Sequence, residues 1–256
     1  MIDIDKAVRE LLADLEGSSG KSLVAACSVI TPRDVPGRLE HSLLTAGLTR
    51  ESLLEECRVA RTVFAAAVCV APYYVADAVK ALAGSPVAVC AAVGFPNAFL
   101  STEAKVADVR SCIMHGASEI DLAINVAAVK SGDLPRAERD FLNAADAARG
   151  HAVVKAVFEH GSYNAREKEE VLRMIERSGI PYIKIQNMTS GHGARCEEIS
   201  LVKSIWGNKV KIKIDGGVKT LGHAIELLRA GAHRIGLTAT KAVAEESMKE
   251  SERVLS

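Results

Sequence analysis

Short apolar runs alternate with amphipathic stretches along most of the chain, and this alternation restricts the fold more than any other feature. We predict strands at Leu39–Leu44, Ala65–Val70, Val87–Phe95, Glu119–Asn125, Ala152–Glu159, Tyr182–Gln186, Val210–Asp215 and Arg234–Thr238. Helical patterns are predicted at residues 49–61, 73–83, 101–115, 135–149, 165–178, 196–206, 220–230 and 240–254. Eight strands that are each followed by a helix predict an α/β fold, the (β/α)8 TIM barrel.

The competing fold is a doubly wound open sheet. Such a sheet usually carries a glycine-rich phosphate turn after its first strand, and no such turn follows residues 39–44. Residues 1–35 precede the repeating pattern and are predicted to form an N-terminal extension, a helix plus a loop. We therefore predict one catalytic barrel domain over residues 36–256.

Charge and cysteine usage exclude several classes of protein. The 32 Lys and Arg residues balance the 32 Asp and Glu residues, and no long basic run occurs, which argues against nucleic acid or a membrane surface as partner. Six scattered cysteines without a CxxC pair make a disulfide framework or a zinc site improbable. The first residues lack the pattern of a signal peptide, and no apolar run is long enough to span a bilayer. We expect a cytoplasmic protein.

Polar residues lie on one side of four consecutive predicted strands. Because strand side chains alternate in direction, the apolar residues of each strand fall on one side and the charged ones on the other. In a barrel the apolar side packs under the helices, so the charged side faces the axis. Asp121, Lys155, Lys184 and Lys213 are then expected in one enclosure. Satisfied polar pairs that plug the barrel are the alternative interpretation.

Buried lysines with carboxylates can perform Schiff-base chemistry. Burial and neighbouring cations lower the pKa of a lysine, and the neutral amine then attacks a carbonyl. An adjacent carboxylate can carry the protons. Metal binding is the competing use of the carboxylates, but no histidine clusters with them and the lysines would repel a cation. We therefore predict no metal site.

Two glycine-containing turns resemble an anion site. Asp215-Gly-Gly-Val218 follows the seventh predicted strand and Gly236-Leu-Thr-Ala239 the eighth, each before a helix. Backbone N–H groups in these places form the common phosphate site of barrels. We predict phosphate binding by Gly216, Gly217, Gly236 and Thr238. In the alternative interpretation the glycines only allow tight turns.

From residue 39 to 240 the chain resembles the deoxyribose-phosphate aldolases. The likeness is carried, in order, by Leu39-Glu-His-Ser-Leu-Leu44, Val68-Cys-Val-Ala-Pro-Tyr-Tyr-Val75, Val93-Gly-Phe-Pro96 with Lys105, Gly116-Ala-Ser-Glu-Ile-Asp-Leu-Ala-Ile-Asn125, Lys155-Ala-Val-Phe-Glu159, Tyr182-Ile-Lys184, Lys213-Ile-Asp-Gly-Gly-Val218 and Gly231-Ala-His-Arg-Ile-Gly236.

The resemblance implies a lyase that reversibly cleaves 2-deoxyribose 5-phosphate into acetaldehyde and glyceraldehyde 3-phosphate, a step of deoxyribonucleotide catabolism and carbohydrate degradation. It implies that Lys184 forms the Schiff base, that Lys213 lowers the pKa of Lys184, and that Asp121 relays protons. It further implies supporting roles for Lys155 and for Glu40, which replaces a family aspartate. It also implies that neither a metal nor an organic cofactor takes part. Barrels of this kind often dimerise, so a homo-oligomer is the expected partner state.

The chain departs from the family pattern around the substrate. Ile185-Gln-Asn-Met188 follows the lysine where the family has Thr-Ser-Thr-Gly, and Asp215 stands where a serine is usual, beside the expected phosphate turn. A divergent aldolase that takes another aldehyde, without phosphate, therefore stays open. So do an acid–base barrel isomerase or decarboxylase, which would form no covalent adduct, and a relative that only binds a ligand.

Overall fold

A computed structural model gives the structure of the protein and describes residues 30–189 and 192–253. Within these residues, eight parallel strands pair in chain order and close into a barrel. The strands are β1 (Leu39–Leu43), β2 (Ala67–Val70), β3 (Ala88–Val93), β4 (Glu119–Ala123), β5 (Val153–Glu159), β6 (Tyr182–Gln186), β7 (Lys211–Asp215) and β8 (Arg234–Leu237). The predicted TIM barrel is confirmed.

Helices follow every strand of the barrel. They are α1 (Arg50–Thr62), α2 (Val75–Ala81), α3 (Thr102–Met114), α4 (Val126–Lys130), α5 (Leu134–Asp146), α6 (Ala165–Ser178), α7 (Cys196–Trp206), α8 (Leu221–Ala230) and α9 (Thr240–Arg253). Local sequence sets their ends. The side chain of Asn164 accepts a hydrogen bond from the Glu167 backbone N–H at the start of α6, and Gly179 ends α6 with a left-handed φ of 73°.

One helix was absent from the sequence prediction. The predicted strand Glu119–Asn125 ends at Ala123, and the short helix α4 begins at Val126. The Asn125 side chain accepts a hydrogen bond from the Ala128 backbone N–H, so Asn125 caps α4 instead of extending the strand. The predicted N-terminal extension lies largely outside the described residues. Of its 35 residues the structure describes only 30–35, with a 3-10 turn at Pro32–Asp34.

The two sides of the strands differ as predicted. On β6 and β7 the outward residues Ile183, Ile185, Ile212 and Ile214 are fully buried under the helices. Lys184 and Lys213, on the other side of these strands, are also fully buried, which is rare for lysine, whereas Lys211 at the start of β7 is exposed. The charged residues therefore lie inside the barrel. Within residues 30–189 and 192–253, none of the helices combines the length and apolar character that crossing a membrane requires.

Candidate active site

Three lysines of adjacent strands surround one aspartate on the barrel axis. Asp121 projects from β4, and its carboxylate lies 3.1 Å from Lys155 Nζ, 3.0 Å from Lys184 Nζ and 2.7 Å from Lys213 Nζ. All four side chains are fully buried. The structure thus brings together the four residues that strand alternation selected.

Glu40 of β1 completes this cluster from the far side of the barrel. Its carboxylate lies 3.2 Å from Lys155 Nζ and forms a second ion pair with Lys213. Burial raises the pKa of Glu40, but Lys155 and Lys213 more than offset burial and bring the pKa to about 2. Glu40 is therefore ionised and shares the two lysines with Asp121.

Further ion pairs extend the cluster along the barrel axis. Towards the N-terminal ends of the strands, Glu119 lies 2.6 Å from Lys155 Nζ and 2.6 Å from the guanidinium of Arg234. Among the described residues, the network contains four cations, including Lys184 and Lys213, and four carboxylates. Sequence reasoning assigned no site role to Glu119, although it lies two residues before Asp121 and faces the same side of β4.

Asp215 contacts the proposed nucleophile directly. One carboxylate oxygen lies 2.8 Å from Lys184 Nζ, and the side chain is 13% exposed. The carboxylate occupies the space beside Gly236, its neighbour on β8, where a Cβ atom would approach Asp215 Oδ1 to 1.6 Å. We expected the charge of Asp215 to lie against the phosphate turn. Instead the charge is paired with Lys184, and the missing side chain of Gly236 makes room for it.

The protonation of Lys184 also differs from expectation. Burial lowers the pKa of Lys184, and Lys213 lowers it further, but the carboxylates of Asp215 and Asp121 outweigh both effects and raise the pKa above its ordinary value. The expected depression of this pKa was therefore wrong for this arrangement. The sequence showed the neighbouring cations but not the ion pair with Asp215.

Three polar atoms at this end of the barrel lack hydrogen bonds. Ser42 Oγ, Lys184 Nζ and Asp215 Oδ1 are buried without a hydrogen-bond partner among the described residues. Lys184 Nζ is within ion-pair distance of two carboxylates, but the angles do not meet hydrogen-bond geometry. Buried polar groups are normally hydrogen-bonded, and such exceptions are common where a ligand binds.

Ser42 and Asp215 line a cavity of about 460 Å³, and Lys184 lies behind Asp215, with its Nζ 2.8 Å from that carboxylate. Gly216, Gly217, Gly236 and Thr238, the four residues predicted to bind phosphate, all line the cavity, together with Lys219. Gly216 and Gly217 have φ angles of 122° and 64°, which favour glycine. A Cβ atom on Gly217 would also lie 3.1 Å from the Cα of Gly193, so the turn is tightly packed. The predicted anion-binding residues thus surround one cavity, next to Asp215.

The divergent segment after Lys184 supplies part of the cavity wall. Ile185 is buried under the helices, while Gln186 donates a hydrogen bond to Glu159 Oε2 at 2.8 Å. Asn187 donates to Glu198 at 2.6 Å, and Met188 is 58% exposed. Gln186, Asn187 and Met188 all line the cavity. The sequence departures thus alter the walls around the substrate and leave the lysine cluster in place.

The donor atoms on the axis do not fit a metal ion. Glu40, Cys69, Cys90 and Asp121 offer ligand atoms within 4.8 Å of one another. However, Lys155 Nζ lies 3.1 Å from Asp121 and 3.3 Å from Cys90 Sγ, so an ammonium group already neutralises this set. Burial raises the pKa of the Cys90 thiol well above its usual value, which disfavours the thiolate that metals require.

Comparison with protein families gives a partial match. The family model described as "Histidine biosynthesis protein" matches residues 141–253. The matched segment contains the strands β5 to β8 and three lysines of the axis. It does not include Glu40 or Asp121.

Individual proteins match over most of the chain. The deoxyribose-phosphate aldolase of Bacillus cereus (strain AH187) is 34% identical over 213 residues, which are 83% of this chain and 96% of that protein. The solved structure "QR15, an Aldolase" superposes with a TM-score of 0.81 at 28% identity and covers 86% of this chain and 99% of the other. A putative deoxyribose-phosphate aldolase from Coccidioides immitis has a TM-score of 0.80 at 26% identity, with 93% and 96% covered. The chain belongs to the deoxyribose-phosphate aldolase family.

Proposed function

We propose that this protein is a class I aldolase that reversibly cleaves 2-deoxy-D-ribose 5-phosphate into acetaldehyde and D-glyceraldehyde 3-phosphate, with Lys184 as the Schiff-base nucleophile. One observation carries the proposal: Lys184 lies fully buried beneath the cavity, within 3.0 Å of two carboxylates, and its amine has no hydrogen bond among the described residues. A lysine in this setting has the proton acceptors that Schiff-base formation needs, and its partner Asp215 lines the cavity through which a carbonyl would approach.

The reaction begins at the aldehyde carbon C1 of the open-chain sugar. The neutral amine of Lys184 forms the N–C1 bond, the carbonyl oxygen takes one proton from this nitrogen and a second from an acid, and the oxygen then leaves as water to give the iminium. A base takes the proton of the C3 hydroxyl, the C2–C3 bond breaks, and its electron pair forms the enamine. Glyceraldehyde 3-phosphate departs, C2 takes a proton, and water releases acetaldehyde and restores the amine.

The neighbouring lysines support this chemistry electrostatically. Lys213 and Lys184 share one carboxylate oxygen of Asp121, at 2.7 Å and 3.0 Å. The cation of Lys213 therefore disfavours the protonated form of Lys184, which is the role that the family resemblance assigned to it. Lys155 and Glu40 keep Lys213 and Asp121 in place through their own ion pairs.

The phosphate is proposed to bind at the mouth of the cavity. The glycine turn at Gly216 and Gly217 and the residue Thr238 line the cavity from two adjacent strand ends. Backbone N–H groups of such turns and a hydroxyl are suited to an anion, and the ammonium of Lys219 adds a positive charge. Gly236 lies deeper and makes space for Asp215, so its contribution is indirect.

A second candidate is the same chemistry on an aldehyde without phosphate. Asp215 favours it, because its carboxylate lines the cavity and would repel an anionic group placed nearby. Its pairing with Lys184 reduces this repulsion, and the phosphorylated sugar remains our first choice.

The two candidates are distinguished by cleavage assays on 2-deoxy-D-ribose 5-phosphate and on 2-deoxy-D-ribose, with release of acetaldehyde as the signal. We expect the phosphorylated sugar to give the higher kcat/KM. Lys184→Ala should cleave neither sugar, and Lys105→Met is its matched control, because Lys105 is a buried lysine outside the cavity. Cleavage of the unphosphorylated sugar alone would favour the second candidate, and cleavage of neither would contradict the proposed reaction.

We further propose a cytoplasmic location and a homo-oligomer. Within the described residues, five cysteines are free thiols, which is in keeping with a reducing compartment. Tyr73 is 84% exposed and Phe99 is 69% exposed, and large exposed apolar side chains are frequent in subunit interfaces. Sedimentation of the protein with and without the double substitution Tyr73→Ser and Phe99→Ser tests this. A monomeric wild-type protein would contradict the oligomer.

A further inference from the structure

The two carboxylates at Lys184 differ in their access to the cavity. Asp121 and Asp215 lie 3.0 Å and 2.8 Å from Lys184 Nζ. Among the residues that the structure describes, Asp215 lines the cavity and Asp121 does not. Asp121 is completely enclosed, whereas the side chain of Asp215 is 13% exposed. A substrate that reaches Lys184 from the cavity therefore meets Asp215 first.

The two carboxylates also differ in how many cations depend on them. Asp121 balances three ammonium groups at 2.7–3.1 Å, and it accepts hydrogen bonds from the thiols of Cys90 at 3.1 Å and Cys69 at 3.6 Å. A proton on Asp121 would leave those ammonium groups without their shared anion in a buried site, which is costly. Burial raises the pKa of Asp121, but the three lysines outweigh burial and hold it well below its usual range.

Asp215 neutralises fewer cations than Asp121 does. Its closest cation is Lys184, with Lys213 farther away at 3.8 Å, and its Oδ1 atom accepts no hydrogen bond from any described residue. When Asp215 takes a proton, Lys184 keeps Asp121 as counter-ion. Asp215 can therefore change its protonation state without dismantling the network on the axis.

We propose that Asp215 is the acid–base residue that exchanges protons with the Schiff-base substrate, while Asp121 remains a fixed counter-ion of the three lysines. The inference rests on the proposed function and adds to it an active role for a residue at which this chain departs from its family. It reassigns the proton relay that the family resemblance places on Asp121.

Each proton transfer can be written with Asp215 as the partner. The carboxylate first accepts a proton from the Lys184 ammonium, which leaves a neutral amine. The protonated acid then gives its proton to the oxygen at C1, which becomes a hydroxyl group. The carboxylate takes a second proton from the nitrogen and passes it to this hydroxyl, which leaves as water and yields the iminium. In the acetaldehyde iminium, the carboxylate removes a proton from C2, and the C–H electron pair forms the enamine. In the cleavage direction the same proton returns to C2. C2 lies two bonds from the nitrogen, within reach of a carboxylate that is 2.8 Å from this nitrogen.

The exchange of acetaldehyde methyl protons for deuterium in D2O isolates the C2 step. We would follow this exchange by NMR for wild type, Asp215→Asn and Asp121→Asn, and divide each rate by the amount of borohydride-trapped adduct on Lys184 after long incubation. The asparagine in Asp215→Asn fits the space beside Gly236 but cannot carry the proton. We expect this variant to form the adduct and to exchange about 100-fold more slowly per adduct. Asp121→Asn is expected to form less adduct and to keep its exchange rate per adduct.

A smaller side chain provides an independent variant. Asp215→Ser leaves a space that opens to the cavity, and we expect added formate to restore its exchange, since formate can enter and accept the proton. Formate should not restore exchange to Asp121→Ser, whose site is closed.

Two results would overturn the inference. One is exchange at the wild-type rate per adduct in Asp215→Asn and Asp215→Ser. The other is a loss of exchange per adduct in Asp121→Asn alone, which would return the relay to Asp121. The absence of any adduct in the wild-type protein is a different result, because it contradicts the proposed function itself and removes the basis of this inference.

Discussion

Lys184 and Lys105 are both fully buried lysines paired with a carboxylate, yet their surroundings differ. Lys105 lies on α3, outside the barrel strands, and forms an ion pair with Asp140 of α5. Its ammonium also donates to the Ala123 carbonyl at 3.0 Å, and the second oxygen of Asp140 accepts from Thr102 Oγ1 at 2.9 Å. Lys105 is closed off by its own partners, whereas Lys184 has two carboxylates, no hydrogen bond among the described residues and a cavity above it.

A search for the lysine with the lowest pKa would not find the proposed nucleophile. Burial lowers the pKa of Lys105 and outweighs the hydrogen bond and charge of Asp140. The pKa of Lys184 is raised, because two carboxylates outweigh burial. A depressed pKa alone would select the lysine between the helices. A buried ion pair with a member that lines a cavity, as Asp215 does, is the better sign of a reactive site, since a closed pair has no place for a substrate.

The largest effect is expected on catalysis when each lysine is removed. Lys184→Ala should lower the rate of sugar cleavage by about 10⁴-fold or more, because the covalent route is lost. Lys105→Met, at a comparable depth, should leave kcat within a few-fold of wild type. Steady-state kinetics with 2-deoxy-D-ribose 5-phosphate check both, and similar losses in the two variants would remove the distinction between the regions.

The reverse order is expected for folding stability. Lys105→Met leaves the Asp140 carboxylate buried without its cation, and breaking such a pair costs about 3–5 kcal/mol in the free energy of unfolding. Lys184→Ala should cost less, because Asp121 and Asp215 lie next to the remaining lysine Lys213. Urea denaturation measures both. A stability of Lys105→Met equal to that of wild type would mean that the helix-layer pair is not a structural link.

The pH dependence of adduct formation tests the origin of the raised pKa. Burial and Lys213 lower the pKa of Lys184, but the carboxylates of Asp215 and Asp121 outweigh them, so the protonated form of Lys184 persists into alkaline solution. The initial rate of acetaldehyde adduct formation, which depends on the neutral amine, should therefore rise with pH beyond neutrality in the wild type. Asp215→Asn removes one anion, and the curve should move to lower pH by about one to three units. An unchanged curve would show that Asp215 does not hold the proton on Lys184.

The smallest effect is expected at the mouth of the cavity. Thr238→Val keeps the shape of the side chain and removes its hydroxyl, so the KM for 2-deoxy-D-ribose 5-phosphate should rise about five- to tenfold, the equivalent of one ordinary hydrogen bond. Turnover of 2-deoxy-D-ribose should be unaffected. An equal effect on both sugars would indicate that Thr238 acts on the cavity wall and not on phosphate.

The sequence predicted the axis cluster because side-chain alternation is a local property. Knowing that β4 to β7 are neighbouring strands was enough to bring Asp121 and three lysines together. The pairing of Asp215 with Lys184 needed the register of β7 with β8, which places Gly236 beside Asp215 and leaves space for its carboxylate. The local sequence pattern does not give this register. Without the ion pair between Asp215 and Lys184, the direction of the Lys184 pKa shift was predicted wrongly.

The helix layer was harder to predict for the same reason. Lys105 is part of a motif that the chain shares with its family, but its partner Asp140 lies 35 residues away on another helix. The short helix α4 was missed because Asn125 can either end a strand or cap a helix, and only the path of the chain decides between them.

The assignment of Lys184 as nucleophile is tested most directly by borohydride reduction in the presence of acetaldehyde, followed by peptide mass mapping of wild type, Lys184→Ala and Lys105→Met. Our account predicts an ethyl group on Lys184 in the wild type and in Lys105→Met, and no trapped lysine in Lys184→Ala. A modification that remains on Lys155, Lys213 or Lys105 when Lys184 is replaced, or the lack of any trapped lysine in the wild type, would contradict it.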